Sequence, residues 1–182
     1  MVARPWEVFG PYEIDKHQEE SWKTLAIEKI KASHVGLEKA KSVYVISVRN
    51  PKTHKIKYIG MTSKQNFADE MASGANVKKV FDKFYKVKSR TVEFWLFAKR
   101  TAKPNKTTGL SRWCKGSALG LQSQHLEELL IMLAKGAGHK LLNSKKIRSA
   151  AGKSVIGLFG VPPKRGARST AVKSLADALK LR

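Results

Sequence analysis

Ser42-Val43-Tyr44-Val45-Ile46-Ser47-Val48-Arg49, and after a polar turn Ile56-Lys57-Tyr58-Ile59-Gly60-Met61, decide the fold. The first run is β-branched and apolar at successive positions, the composition of a central strand covered on both sides. Asn50-Pro51 opens a turn that runs through Lys55, and the second run returns. So short a connection makes the pair an antiparallel hairpin.

Outward from this hairpin, Asn66 to Ala72 reads as a short helical turn interrupted at Gly74. Asn76 caps a helix over Val77–Tyr85, with Val80, Phe81 and Phe84 turned inward. Thr91–Ala98 (Thr-Val-Glu-Phe-Trp-Leu-Phe-Ala) is the clearest strand in the chain. Lys99–Thr108 is basic, contains Pro104 and reads as a mobile loop. Leu126, Leu129, Leu130 and Leu133 form the buried face of a helix that starts at Ser117 or Ser123 and stops at Gly136.

On the N-terminal side, residues 1–14 look extended, and Asp15 caps a helix that runs to about His34. On the C-terminal side, glycines alternate with basic residues before an amphipathic helix over Ser169–Leu181. The expected class is α+β, with a small, largely antiparallel three-stranded sheet flanked by helices. Residues 1–41 form an N-terminal extension with a helix, 42–143 the core, and 144–182 a basic extension with a terminal helix.

Charge points to the partner. Lys and Arg total 36 against 14 Asp and Glu, a net +22. Such a surplus repels itself and calls for a polyanion. Phosphate backbones are the first choice, with ribosomal RNA and membrane surfaces as alternatives. No apolar run is long enough to span a bilayer, and residues 1–10 lack the apolar region of a signal peptide. The lone Cys114 excludes an intramolecular disulfide and reads as a small hydrophobe in a reducing, intracellular setting. The five histidines show no metal-ligand spacing and read as surface or capping residues.

Three motifs fall on these elements in order. Ser42-Val43-Tyr44-Val45-Ile46 and Tyr58-Ile59-Gly60-Met61-Thr62 resemble the paired signature of the GIY-YIG nucleases. Glu127-Glu128-Leu129-Leu130-Ile131 resembles that family's E-x-x-L-I helix, and Leu141-Leu142-Asn143 its closing segment. The resemblance covers roughly residues 42–143. It implies a metal-dependent DNA endonuclease of restriction, homing or phage type, with Mg²⁺ (or Mn²⁺) as cofactor and double-stranded DNA as substrate. A homodimer is one way for a single site per chain to cut both strands.

The resemblance also implies the roles. Glu127 holds the metal, and its spacing to Leu130 and Ile131 selects it over Glu128. Tyr44 and Tyr58 activate or position the attacking water. Gly60 and Asn143 support the site. A phenol with an ordinary pKa near ~10 needs a cationic neighbour to act as a base, and Lys57 is the nearest in sequence. The family carries a phosphate-gripping arginine on the helix after Tyr-Ile-Gly, but no arginine occurs from Gly60 to Ser89. Lys64, Lys78 and Lys79 are the substitutes, with Lys78 preferred. A lysine brings charge without the bidentate fork.

For DNA contact, Lys99, Arg100, Lys103, Lys106, Arg112 and Lys115 flank Trp113. Lys145, Lys146 and Arg148 begin a basic tail that also holds Lys153, Lys164, Arg165, Arg168 and Lys173. The rival expectations are a DNA-binding protein of this fold whose nuclease site has decayed, and a basic RNA-associated protein.

Overall fold

A computed structural model describes residues 6–14, 21–41, 43–62, 65–84, 90–104, 111–113, 120–143, 155–156, 160–161 and 170–180. For 100–104, 111–113, 120, 155–156 and 160–161 the backbone alone is described.

The centre is an antiparallel sheet of β1 (Glu7–Ile14), β2 (Val43–Asn50), β3 (Thr53–Met61) and β4 (Thr91–Ala98), in the order β1-β4-β2-β3. The fold is therefore α+β as expected, but the sheet has four strands rather than three. The additional strand is β1. Val8 faces one side while Phe9, Tyr12 and Ile14 face the other. The alternation breaks at Gly10 (φ 112°) and Pro11, where the register with β4 shifts. That bulge hides the strand from a period-two reading. The expected turn from Asn50 to Lys55 is also shorter in fact. Asn50 Oδ1 accepts from the backbone N–H of Lys52 (3.0 Å) and Thr53 (2.6 Å), so β3 starts at Thr53.

Helices cover both faces. On the first lie α1 (Trp22–Ser33), α2 (Phe67–Ser73) and α3 (Ala75–Phe84), which bury Leu25, Ile30, Phe67, Met71, Val80 and Phe81 against Tyr44, Ile46, Phe94 and Leu96. On the second lie α4 (Gly120–Gly136) and α5 (Thr170–Leu179), which bury Leu126, Leu130, Ile131 and Leu175 against Val43, Val45, Trp95 and Phe97. The stretches expected as terminal extensions thus supply an edge strand, one helix of the first layer and one of the second.

Ser21, not Asp15, caps α1: its side chain accepts from the Thr24 N–H, and residue 15 lies outside the described residues. Asn66 caps α2 as its position suggests, through the Asp69 N–H at 2.9 Å. Asn76 sits inside α3 rather than capping it. The expected loop at 99–108 holds β5 (Arg100–Pro104), paired with β6 (Ser111–Trp113). Its strand character comes from pairing with β6, which a sequence with almost no apolar residue does not announce. Two-residue strands β7 (Val155–Ile156) and β8 (Gly160–Val161) run parallel. Cys114 lies outside the described residues. Among the described residues no helix is long and apolar enough to cross a membrane.

His139 ties α5 to the end of α4. Expected at the surface or in a cap, it is buried, and its Nε2 is 2.7 Å from the carbonyl of Ala178 in the last turn of α5. Burial pushes its pKa below the ordinary value, reinforced by Lys180, His54 and Lys57 and opposed by the Ala178 bond. The folded state therefore excludes a proton that the unfolded chain takes up below about pH 6.5. The stability this histidine contributes is complete above that pH and is lost as pH falls toward the folded pKa. Thermal melts from pH 7 to 5 should show a decline that His139→Gln reduces; equal slopes would exclude the effect.

Candidate active site

Tyr44 and Tyr58 lie on adjacent strands and meet over a gap left by Gly60. Tyr44 is opposite Gly60, and Tyr58 is opposite Ile46. Their rings stack with centroids 5.9 Å apart and planes 21° apart. A Cβ on Gly60 would stand 2.5 Å from Tyr58 Cε1 and 2.7 Å from the Tyr44 hydroxyl, so the stacking requires glycine there.

A β-bulge aims the neighbours. Ile46 pairs with Tyr58 and Ser47 with Ile56, which leaves Lys57 as the extra residue. Ile56 and Ile59 consequently face the second layer, while Tyr58 packs on the first. Lys57 follows Tyr58 to that side, with its Nζ 5.4 Å from the centre of the Phe84 ring.

Two carboxylates act on the tyrosines. The Tyr44 hydroxyl donates to Glu70 Oε1 at 2.9 Å. Glu70 stands on α2, and Gly74 makes room for it: a Cβ there would be 2.7 Å from Oε1. Nothing in the sequence singled Glu70 out. Glu127, on α4, lies close enough to raise the pKa of Tyr58. It points along the same side of α4 as Leu130 and Ile131, which pack on the sheet, and is buried at 5% exposure. Neighbouring Glu128 is also buried and accepts from Gln124 Nε2 at 3.1 Å. Neither glutamate forms the solvated charge common near a helix start.

The expectation that cations would ready a tyrosine for ionisation is overturned. Burial chiefly, then Tyr58 and Glu70, push the Tyr44 phenol far above its ordinary pKa. Burial chiefly, then Glu127, push up Tyr58, with Tyr44 and Asn76 partly opposing through hydrogen bonds. Both phenols stay protonated at neutral pH. Tyr44 has one hydroxyl hydrogen, which Glu70 receives. Its oxygen remains free to accept from Tyr58, so a chain Tyr58–Tyr44–Glu70 is available.

Asn143 holds the strand from outside. Its Nδ2 donates to the Ile59 carbonyl at 2.6 Å, and the Leu142 N–H donates to the Lys57 carbonyl at 2.7 Å. Asn143 Oδ1 is buried and without a hydrogen-bond partner. Among the described residues no three His, Cys, Asp or Glu converge as a metal cage. The oxygen chemistry of Glu127 nevertheless suits Mg²⁺, which needs one or two carboxylates and keeps several waters.

The structure does not bring Lys78 to the tyrosines. Asn76 is the α3 residue that bonds Tyr58. At about 100° per residue, Lys78 lies about 200° round the helix from it, Lys79 about 60° away, and Lys83 within about 20°. Lys99, expected on DNA, is half-buried; it donates to Gln122 Oε1 at 2.9 Å and lies over the Trp6 ring. Lys64, Lys106, Lys115, Lys145, Lys146 and Arg148 lie outside the described residues, as do the side chains of Arg100, Lys103, Arg112 and Trp113.

A second polar cluster crosses the far end of the sheet. Glu93 is bonded by Arg49 Nε (2.6 Å), His54 Nε2 (2.9 Å) and Ser47 Oγ (3.3 Å). Ser47 and Glu93 reach the same ring nitrogen of His54, whereas a hydrolytic triad needs opposite nitrogens. With Ser47 fully buried, the cluster is structural. Compared with family models, curated proteins and solved structures, the chain matches none.

Proposed function

We propose that this chain is a Mg²⁺-dependent endonuclease of double-stranded DNA, with a GIY-YIG-like site at Tyr44, Tyr58 and Glu127. The observation that carries the reading is the tyrosine pair stacked over Gly60 with Glu127 acting on Tyr58. The net charge of +22 supports the polyanionic substrate.

Glu127 would hold the ion, with Asn143 Oδ1 a further oxygen acceptor in the supporting segment. When bound, Mg²⁺ supplies positive charge to offset the negative charge growing on the phosphate. The chain's own residues handle the proton. The attacking water gives one proton to Tyr58 as Tyr58 passes its own to Tyr44 and Tyr44 passes its own to Glu70, so the proton ends on that carboxylate. Neither phenol need carry a lasting negative charge, which suits their raised pKa values. The water oxygen bonds to phosphorus, the ester P–O bond breaks, and the departing oxygen takes a proton from solvent.

Supercoiled plasmid with Mg²⁺ should be nicked by the full chain and spared in EDTA. Glu70→Gln keeps the shape of the side chain but cannot take the proton, so cleavage should slow about 10²-fold with DNA affinity unchanged. Wild-type rates in Glu70→Gln would remove the relay.

A second reading keeps DNA binding without cleavage. It is favoured by the absence of an arginine on α3. Binding in EDTA with no nicking at any Mg²⁺ or Mn²⁺ concentration would select it.

A further inference from the structure

We propose that Lys57, Lys83 and Arg90, gathered around the ring of Phe84, form a binding site for the phosphates of a nucleic-acid backbone. The inference rests on the proposed function for its setting beside Tyr58, but its test does not depend on cleavage.

Three elements converge on one ring. Lys57 comes from the β3 bulge, Lys83 from the last turn of α3, and Arg90 from just before β4. Their charged groups lie 5.4, 5.7 and 5.7 Å from the ring centre of Phe84. No two can therefore be farther apart than about twice that distance. Phe84 itself is buried and fixed in the first-layer core, so it acts as a rigid post for mobile cations.

Among the described residues, the ion pairs seen at Arg49 and His54 include none of these three cations. Lys55 and Lys140 add to the field. Burial first, and then these four neighbouring cations, push the Lys57 pKa down, so a bound anion would relieve a repulsion already present. Folding gains little from holding like charges together, whereas a phosphate gains from each. The site also restores an arginine: Arg90 lies one residue beyond the arginine-free stretch and reaches the tyrosine side of the sheet by another route.

The test is the salt dependence of binding by the full chain, in EDTA, to a fluorescent DNA duplex and to an RNA duplex of the same sequence. Lys83→Ala and Arg90→Ala should each reduce the slope of log K against log salt by about 1, and the triple alanine variant by about 2–3. Affinity should fall on the order of 10–100-fold in the triple variant. Lys135→Ala, exposed on α4 of the other layer, should leave the slope unchanged. The charge-preserving triple Lys57→Arg, Lys83→Arg, Arg90→Lys should keep the wild-type slope.

Equal losses on DNA and RNA support shared backbone recognition, and a loss confined to one assigns the site to that polymer. A wild-type slope in the folded triple variant overturns the proposal, as does a wild type that binds neither duplex at low salt. If the triple variant fails to fold, the exposed Lys83→Ala decides by its own slope. Slope loss in a chain that never nicks DNA keeps this site and removes the nuclease reading. Nicking abolished by Glu127→Ala, with wild-type binding in the triple variant, does the reverse.

Discussion

Glu93→Ala is expected to destabilise the fold by about 2–4 kcal/mol, read as a lowered urea midpoint. Glu93 is 2% exposed and carries bonds from Arg49, His54 and Ser47. Truncation leaves fully buried Ser47 and the ring of His54 bonded only to each other, at 2.8 Å, and takes from the Arg49 guanidinium its buried partner; His54 also stacks on Trp95 with centroids 5.7 Å apart. The loss stays below that of a fully dry ion pair because Arg49 is 47% exposed and rehydrates. Glu13 faces Glu93 across β1 and β4, and Arg49 bridges both carboxylates. Glu13→Ala should cost under about 1 kcal/mol, because that pair is half exposed. Equal midpoints for Glu93→Ala and wild type would show that the cluster carries no stability.

Gly60→Ala should damage activity more than a one-carbon change ordinarily does. The new methyl would collide with Tyr58 Cε1 and with the hydroxyl and Cζ of Tyr44. Tyr44 is 1% exposed, and its hydroxyl is engaged by Glu70, so the rings cannot simply swing aside. Overpacking of this kind costs about 1–3 kcal/mol, seen as a lower melting temperature. Cleavage should fall about 10²–10³-fold, since displacing reacting groups by about an ångström is enough. Tyr44→Phe separates the contributions: it keeps the ring but removes the donation to Glu70. Unchanged cleavage by a folded Gly60→Ala chain would mean that the stacked pair is not the working arrangement.

The elements legible in the sequence are those whose burial is written locally. β2 and β4 are apolar on both faces because both are central, and the leucines of α4 repeat at helical spacing. β1 escaped because Gly10 and Pro11 place Phe9 and Tyr12 on one face at a spacing of three. The same cause conceals the orientation of Lys57, since a bulge is fixed by pairing with β2 rather than by residues 55–58 alone. Glu70 on its short helix looks like solvated charge near a helix start. Only the folded chain sets it against Tyr44. The sequence points to Lys78 because it lies on the helix after Tyr-Ile-Gly, whereas helix phase turns Lys83 toward Asn76, and Arg90, just before β4, reaches the ring of Phe84.

Nicking of supercoiled plasmid in Mg²⁺ by wild type, Glu127→Ala and Glu128→Ala, with folding checked by thermal melts, tests the central claim most directly. Wild type should convert the plasmid to open circle. Glu127→Ala should lose at least about 10³-fold, the scale of removing a principal charge-stabilising group. Glu128→Ala should retain most activity, since its carboxylate is turned toward Gln124. Cleavage by Glu127→Ala at the wild-type rate, or no Mg²⁺-dependent nicking by wild type, would contradict the account.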